Sequence, residues 1–410
     1  MKSAAPLQNR KNILYLTRNG LLEPLGQSQI LPYLRQLSNT YQITIVSFEK
    51  PADLCNQLLV TSVQETCRQY GLIWAPFRFR SKPRLIAPLF AFFQLLFAAL
   101  YYSKGPRKPS FVHARSYIPV FVALIVKYLT QIPFLFDMRA LWPEELISGS
   151  HVRRESLLHN LILRLEHLSL SNASGVVSLT NAAAIHLKDK YPDILHQRIV
   201  VIPTCADLQA FQYSTDPPVL PITVGCIGTL LSSWFMTDWL SAFFESFNRV
   251  EPTARFEIIS RDPPHLIHNA LGLSKQLNHK ISISSAEPHE MPSVIQRHSC
   301  SVMFFTPGLS KLGSCPTRMA EVLGSGRPVV TNYGIGDLDQ IVLSNQIGVL
   351  ARDCNIQDMD KTALEVLSLL KDTHLPNRCR RTAENLFSLQ AGTQSYRRLY
   401  SAIVSQSQLN

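Results

Sequence analysis

The sequence predicts an α/β protein made of two doubly wound parallel-sheet domains facing a central cleft. Three observations lead there. Short apolar, β-rich runs alternate with stretches of helical periodicity, the pattern of parallel sheets covered on both faces. That alternation occurs twice, on either side of an irregular stretch from Ala206 to Pro221. The chain also has 410 residues, 46% hydrophobic and 17% charged, enough for two or three full cores and unlike a disordered protein.

In the first half, strands are expected near Ile13–Leu16, Ile43–Phe48, Leu72–Ala75, Phe111–Ala114, Phe134–Asp137, Val176–Leu179 and Val200–Ile202. The second half repeats the pattern near Ile222–Ile227, Phe256–Ser260, Ile281–Ser284, Ser301–Phe305, Val329–Thr331 and Gly348–Leu350. Thr215-Asp216-Pro217-Pro218 reads as a linker between the halves. No tandem repeat or low-complexity segment interrupts them. Ligands of such sheets bind at the carboxyl ends of the strands, so the loops there are the places to look for chemistry.

One of those loops is rich in it. Ser310 to Glu321 reads SKLGSCPTRMAE, a loop entering a helix, and Gly324-Ser325-Gly326-Arg327-Pro328 then turns into a buried strand. Ser314 and Thr317 are natural helix caps, and Pro316 suits the first helical position. A helix that starts this way directs free amides and partial positive charge at whatever precedes it. Lys311 and Arg318 add two full charges, and Glu321 lies three residues beyond Arg318, near the same helix face. Cations and amides for a diphosphate, with a carboxylate for a ribose, describe a nucleotide-sugar site. The plain alternative is a solvated helix start carrying an Arg-to-Glu surface pair. Charge-assisted bonds to a diphosphate are worth roughly 1.5–3 kcal/mol each, against a few tenths for an exposed pair. Loss of Arg318 is therefore expected to hurt binding far more than folding.

Gly228 and Thr229 end the first strand of the second half, where a missing Cβ lets backbone approach a phosphate. Gly336 belongs to the loop after a later strand. Asp337-Leu338-Asp339 matches an Asp-x-Asp metal pattern but reads better as a helix N-terminus, where carboxylates are favourable, so no metal or other cofactor is assigned.

In the first half, the loop Arg18 to Gln29 contains Gly20 and Gly26, allowing close approach by an acceptor, and Gln27 offers polar groups suited to hydroxyls. His113 and Arg115 close the fourth-strand region, and Asp137 and Arg139 close the fifth. Two neighbouring strand ends with ionisable groups mark a candidate site. A buried, satisfied histidine and a structural Asp137–Arg139 ion pair are the alternatives.

The net charge of +11 calls for an anionic partner, either nucleic acid or an anionic membrane. Between Arg78 and Arg115 there are eight Lys or Arg and no Asp or Glu, flanking the apolar segment Leu85 to Tyr102. That segment reads as a core helix, as a monotopic surface for an anionic membrane through residues 78–108, or as a membrane span, for which it is slightly short and contains Pro88 and Gln94. Nucleic acid is disfavoured, because the cations adjoin a greasy run rather than a nucleic-acid motif. Eight scattered cysteines with no CxxC pair indicate reduced, mostly core thiols. Met1 to Lys11 is polar and basic, with no signal peptide expected, so the protein is placed in the cytoplasm, peripheral to the inner face of the cell membrane.

The donor motif resembles that of retaining glycosyltransferases of family 4, in a variant reading Ser-Lys-…-Ser-x-Pro-Thr-Arg-x-x-Glu. Further stretches are similar to family landmarks in the expected order: Asn12 to Gln29 (NILYLTRNGLLEPLGQSQ), Phe111 to Tyr117 (FVHARSY), Phe134 to Glu145 (FLFDMRALWPEE), Ile202 to Asp207 (IPTCAD) and Asn332 to Asp337 (NYGIGD). Two features depart from the family. Gly313 stands where most members have a second glutamate, and the usual Arg/Lys pair is missing from Gly228–Ser233. The resemblance implies a GT-B fold: an acceptor-binding Rossmann-like domain (1–205), a nucleotide-sugar-binding one (206–392), and a last helix (393–410) crossing back to the first.

It also implies transfer of a sugar, with retention, from a nucleoside diphosphate to a glycan or lipid-linked acceptor in cell-surface polysaccharide synthesis. Lys311 and Arg318 stabilise the leaving diphosphate, Glu321 holds the ribose, His113 or Asp137 orients sugar or acceptor, and domain closure excludes water. A nucleotide-sugar epimerase and a non-catalytic nucleotide-sugar-binding subunit remain as alternatives, the latter favoured by Gly313.

Overall fold

A computed structural model of the chain describes residues 10–80, 82–83, 86–105, 107–194, 198–213 and 220–406. It contains two compact units, Met1–Pro203 with Leu389–Asn410, and Thr204–Ser388. The chain thus divides after Pro203 and after Ser388, where the sequence suggested 205 and 392. The suggested linker Thr215-Asp216-Pro217-Pro218 lies outside the described residues, as does Leu85.

The first unit holds seven strands: β1 (Lys11–Leu16), β2 (Tyr41–Glu49), β3 (Ile73–Arg78), β4 (Phe111–Arg115), β5 (Phe134–Asp137), β6 (Gly175–Ser178) and β7 (Ile199–Val201). They form one parallel sheet in the order β3-β2-β1-β4-β5-β6-β7. The second unit holds six: β8 (Thr223–Ile227), β9 (Arg255–Ile259), β10 (Ile281–Ser284), β11 (Cys300–Met303), β12 (Val329–Asn332) and β13 (Gly348–Ala351), in the order β10-β9-β8-β11-β12-β13. Each expected strand is present among the described residues, with ends moved by no more than a few residues.

Both sheets are covered on two faces, and alternate residues divide between them. In the second unit Ile258, Val302 and Val330 join a core with Phe243, Phe244 and Phe247 of the helix Thr237–Val250. Their neighbours Ile259, Met303 and Val329 join another core with Met319, Val322 and Leu323 of the helix Thr317–Gly324. Burying each of those three helix side chains contributes roughly 1.5–3 kcal/mol, which fixes the helix on the sheet and sets the position of its first turn.

The strand order reverses between β1 and β4 in one sheet and between β8 and β11 in the other. Such switch points open a crevice at the strands' carboxyl ends. The loops leaving β8 and β11 carry Gly228 and the Lys311 segment. Those leaving β1 and β4 begin at Thr17 and Ser116.

The helix Leu389–Gln406 completes the first unit, beginning before residue 393, where the sequence placed its start. Tyr400 is buried edge-on against Tyr41 and Phe111, with ring centroids 5.3 and 4.8 Å apart. Tyr41 and Ser401 share a hydrogen bond at 3.0 Å, and Arg397 donates to the Gln36 carbonyl at 3.2 Å.

Candidate functional site

In the second unit three loops meet at the switch point. Gly228 has a φ of 150°, where side chains are strained, and a Cβ there would meet nothing within 4 Å. Backbone conformation therefore selects this glycine, and the space beside it is open. Thr229 next to it is exposed. Asp262 fixes the rest of the loop by accepting from the Leu230 and Leu231 amides at 2.7 and 3.0 Å. Trp234 follows, half-exposed, with the Lys311 ammonium 5.7 Å from its ring centroid. The Gly336 amide donates to the Lys311 carbonyl at 2.9 Å, joining the loop after β12 to the loop after β11.

Arg318 donates to Glu321, as the spacing suggested, but the pair is not a surface one. The Glu321 residue is only 6% exposed, while the Arg318 side chain is 37% exposed. Burial pushes the Glu321 carboxyl above its ordinary pKa, and Arg318 pulls against that shift. A buried carboxylate held by a cation that still reaches solvent is suited to bind polar ligand groups on the carboxylate side and anions on the guanidinium side.

Two expectations of local structure need correction. The helix begins at Thr317 rather than Pro316, which occupies the cap position, and no side chain caps it. Ser314 instead sits in the preceding turn, its amide donating to the Lys311 carbonyl at 3.0 Å. Proline there brings no amide of its own to satisfy. Asp337 is the cap residue of the helix Leu338–Asn345, as anticipated, and Asp339 in its first turn accepts from the Gly334 amide at 3.1 Å. Among the described residues no cluster of His, Cys, Asp and Glu could hold a metal ion.

In the first unit, His113, Arg115, Asp137 and Arg139 come together, and the closing helix covers them. Asp137 Oδ2 faces His113 Nε2 at 3.3 Å and Arg115 at 3.2 Å, and it accepts from the Tyr396 hydroxyl at 3.2 Å. Arg139 lies 3.6 Å from Oδ1, so the ion-pair alternative is realised. His113 Nδ1 meets the Tyr400 hydroxyl at 2.6 Å. The His113 ring is 2% exposed and stands two residues short of the end of β4, beside Tyr15 of β1. Burial lowers the His113 pKa despite Asp137, so the ring is neutral at pH 7. Burial alone would raise Asp137, but Arg139, His113 and Arg115 hold it well below the usual carboxylate range.

The residues at the very ends of these strands carry another signal. Ser116 (φ 72°) and Arg139 (φ 58°) both adopt left-handed backbone, and the Ser116 amide donates to the Asp137 carbonyl at 2.8 Å. Non-glycine residues pay on the order of 1–3 kcal/mol for such strain, which clusters at functional sites.

The loop Arg18 to Gln29 differs from expectation in why Gly26 is there. A Cβ on Gly26 would lie 2.0 Å from the Gly20 carbonyl, so Gly26 is selected by contact with its own loop rather than by a ligand. The Gln27 amide donates to the Leu21 carbonyl. Buried Glu49 accepts from the Leu21 and Leu22 amides at 2.9 and 3.0 Å and braces the loop from β2. Sequence reasoning missed Glu49, Asp262 and Trp234. The only local signs were a charge ending a buried strand, one beginning a loop, and an aromatic in a serine-rich turn.

Residues 30–210 match the family model described as Glycosyltransferase Family 4. The match covers most of the first unit from Ile30 onward, without β1 or the helix Leu389–Gln406, and ends before the loops that carry Gly228 and Lys311. Among curated proteins none matches the chain by sequence. Among solved structures, HepE of Anabaena in complex with UDP and glucose is 14% identical, with 95% of this chain and 99% of that one covered and a TM-score of 0.66. Sucrose-phosphate synthase of Thermosynechococcus elongatus is 14% identical over 96% and 100%, at 0.67. A putative UDP-N-acetylglucosamine 2-epimerase of Listeria monocytogenes is 11% identical over 98% of each chain, at 0.61. The chain therefore has the GT-B fold, two Rossmann-like units with parallel sheets, and the match over 30–210 supports glycosyltransferase family 4.

Proposed function

We propose that this protein is a retaining glycosyltransferase. It moves a sugar from a nucleoside-diphosphate sugar to a glycan or lipid-linked acceptor in cell-surface polysaccharide synthesis, at the inner face of the cell membrane. The observation that carries the reading is the buried Glu321 carboxylate paired with partly exposed Arg318, on a helix entered from the Lys311 loop at the switch point of the second unit. The HepE structure holding UDP and glucose shares the fold and supports a nucleotide-sugar donor.

Lys311 and Arg318 take the charge that develops on the departing diphosphate. Glu321 accepts from the ribose hydroxyls, the open backbone at Gly228 and Thr229 admits the phosphates, and Gly336 holds the Lys311 loop beside them. Ser314 and Thr317 line the loop and first turn beside them. On the acceptor side, Arg139 touches substrate at its strained strand end, while His113, Arg115 and Asp137 act through it as positioning residues. Gly26 and Gln27 shape the acceptor loop. No metal takes part.

Calorimetric titration with UDP, GDP and ADP tests the donor site. One nucleotide should bind selectively, and Arg318→Ala and Glu321→Ala should each lose it while remaining folded. No binding of any of the three by folded protein would sink the assignment. Turnover of donor without acceptor would instead identify an epimerase. Nucleotide-sugar binding without turnover across many acceptors would identify a binding subunit, the reading Gly313 favours.

A further inference from the structure

The helix Ile86–Ser103 distributes its side chains in a way that water alone does not explain. Its buried stripe is made mostly of small residues: Ala87, Ala91, Leu95, Ala98 and Ala99. Its large aromatics point the other way. Phe90, Phe93, Phe97 and Tyr101 follow the spacing of one helix face and are exposed, Phe97 by 70% and Tyr101 by 74%. No charged residue occurs within the helix. The neighbouring helix Tyr117–Thr130 adds exposed Tyr128 and Leu129. An exposed apolar helix face of this kind marks a place where something docks.

Charge says what docks there. Arg78, Arg80 and Lys82 precede the helix and Lys104, Arg107 and Lys108 follow it, all exposed. The Arg80 guanidinium lies 4.7 Å from the Phe90 ring centroid, so one of these cations borders the aromatic stripe directly. No carboxylate stands between Arg78 and Arg115 to neutralise them. A two-fold contact with a second copy would bring both sets of cations to one interface, which like-charge repulsion opposes. Among the described residues no helix is long and apolar enough to cross a membrane.

We propose that this face lies on an anionic lipid bilayer, with the aromatic stripe seated at the acyl boundary and the cations at either end of the helix on lipid phosphates. The geometry stands on its own, and the proposal rests on the lipid-linked acceptor of the proposed function only for its purpose. Binding of this kind is reversible and falls with salt.

The test is flotation of the purified protein with vesicles, without nucleotide or acceptor, so that its result is separate from that of the donor titration. The protein should float with mixed phosphatidylglycerol and phosphatidylcholine vesicles and remain behind with phosphatidylcholine alone. Phe97→Ser/Tyr101→Ser should lower the partition constant about tenfold or more. Lys104→Ala/Arg107→Ala/Lys108→Ala should lower it by on the order of 100-fold. These positions are exposed, and unchanged thermal unfolding confirms that the variants fold. No binding by the unmodified protein, equal binding to both vesicle types, or binding untouched by both variants overturns the proposal. So does a dimer in sedimentation that the aromatic variant abolishes while vesicles bind neither form, which assigns the face to a second copy.

Discussion

Asn332 holds the backbone of Phe305 by both of its polar groups. Its Oδ1 accepts from the Phe305 amide and its Nδ2 donates to the Phe305 carbonyl, each at 2.8 Å. The residue that ends β12 thereby fixes the backbone that leaves β11 toward Lys311. Asn332→Ala strands both groups in partly buried surroundings and should cost about 2 kcal/mol or more in urea unfolding. Asn332→Asp keeps the acceptor but sets a buried carboxylate oxygen against the Phe305 and Tyr333 carbonyls, and should cost more. Nucleotide affinity, read by calorimetry, should fall in the same order.

The burial of Glu321 changes what Arg318 is expected to do. Because burial raises the Glu321 pKa in the folded state, folding takes up protons, and stability falls as pH rises through that raised value. Arg318 offsets the loss. Arg318→Ala should therefore destabilise the protein by about 1–2 kcal/mol at neutral pH, less than for a fully buried pair because the guanidinium reaches solvent. The deficit should shrink toward pH 5. Adding Glu321→Gln should restore stability without restoring nucleotide binding, and melting curves at two pH values read both effects.

Asp137 is the single anion among Arg115, Arg139, neutral His113 and Tyr396. Asp137→Asn leaves two largely buried cations without a counterion and should cost about 3–5 kcal/mol. Tyr396→Phe, which removes one donor, should cost about 1 kcal/mol. A difference smaller than this between the two variants in denaturant unfolding would mean that solvent reaches the cluster.

Glu257 supplies a separate acid-sensitive contact in the second unit. Burial would raise its pKa, but hydrogen bonds from His298 at 2.9 Å and Arg297 at 2.6 Å outweigh that and hold it at about 2, against 4.5 ordinarily. A depressed folded pKa gives stability that is present above the ordinary value and lost as pH falls toward the folded one. Stability should therefore decline between about pH 4.5 and pH 2, and Glu257→Gln should flatten that decline while lowering stability at pH 7.

The strands were legible because parallel strands buried on both faces are nearly continuous apolar runs, as in Phe134–Asp137 and Ile43–Phe48. The Arg318–Glu321 contact was legible because it lies within one helical turn. The depth of Glu321 was not, since it depends on how Met319, Val322 and Leu323 pack against strands far away in sequence. Nor was the sealing of His113, whose partners Tyr396 and Tyr400 arrive from the other end of the chain. The reason for Gly26 was equally hidden, because the atom it must avoid belongs to a loop whose path no local pattern specifies.

The helix Leu389–Gln406 belongs to the unit that begins the chain, with the whole of residues 204–388 made in between. At about 5–20 residues per second, a ribosome needs roughly 10–40 s to supply that insert. For that interval the nascent first sheet carries His113, Asp137 and the Phe111 face without their cover, open to water and to holding chaperones. A stop codon between Ser388 and Tyr396 would accordingly cripple the earlier-made of the two units rather than the later.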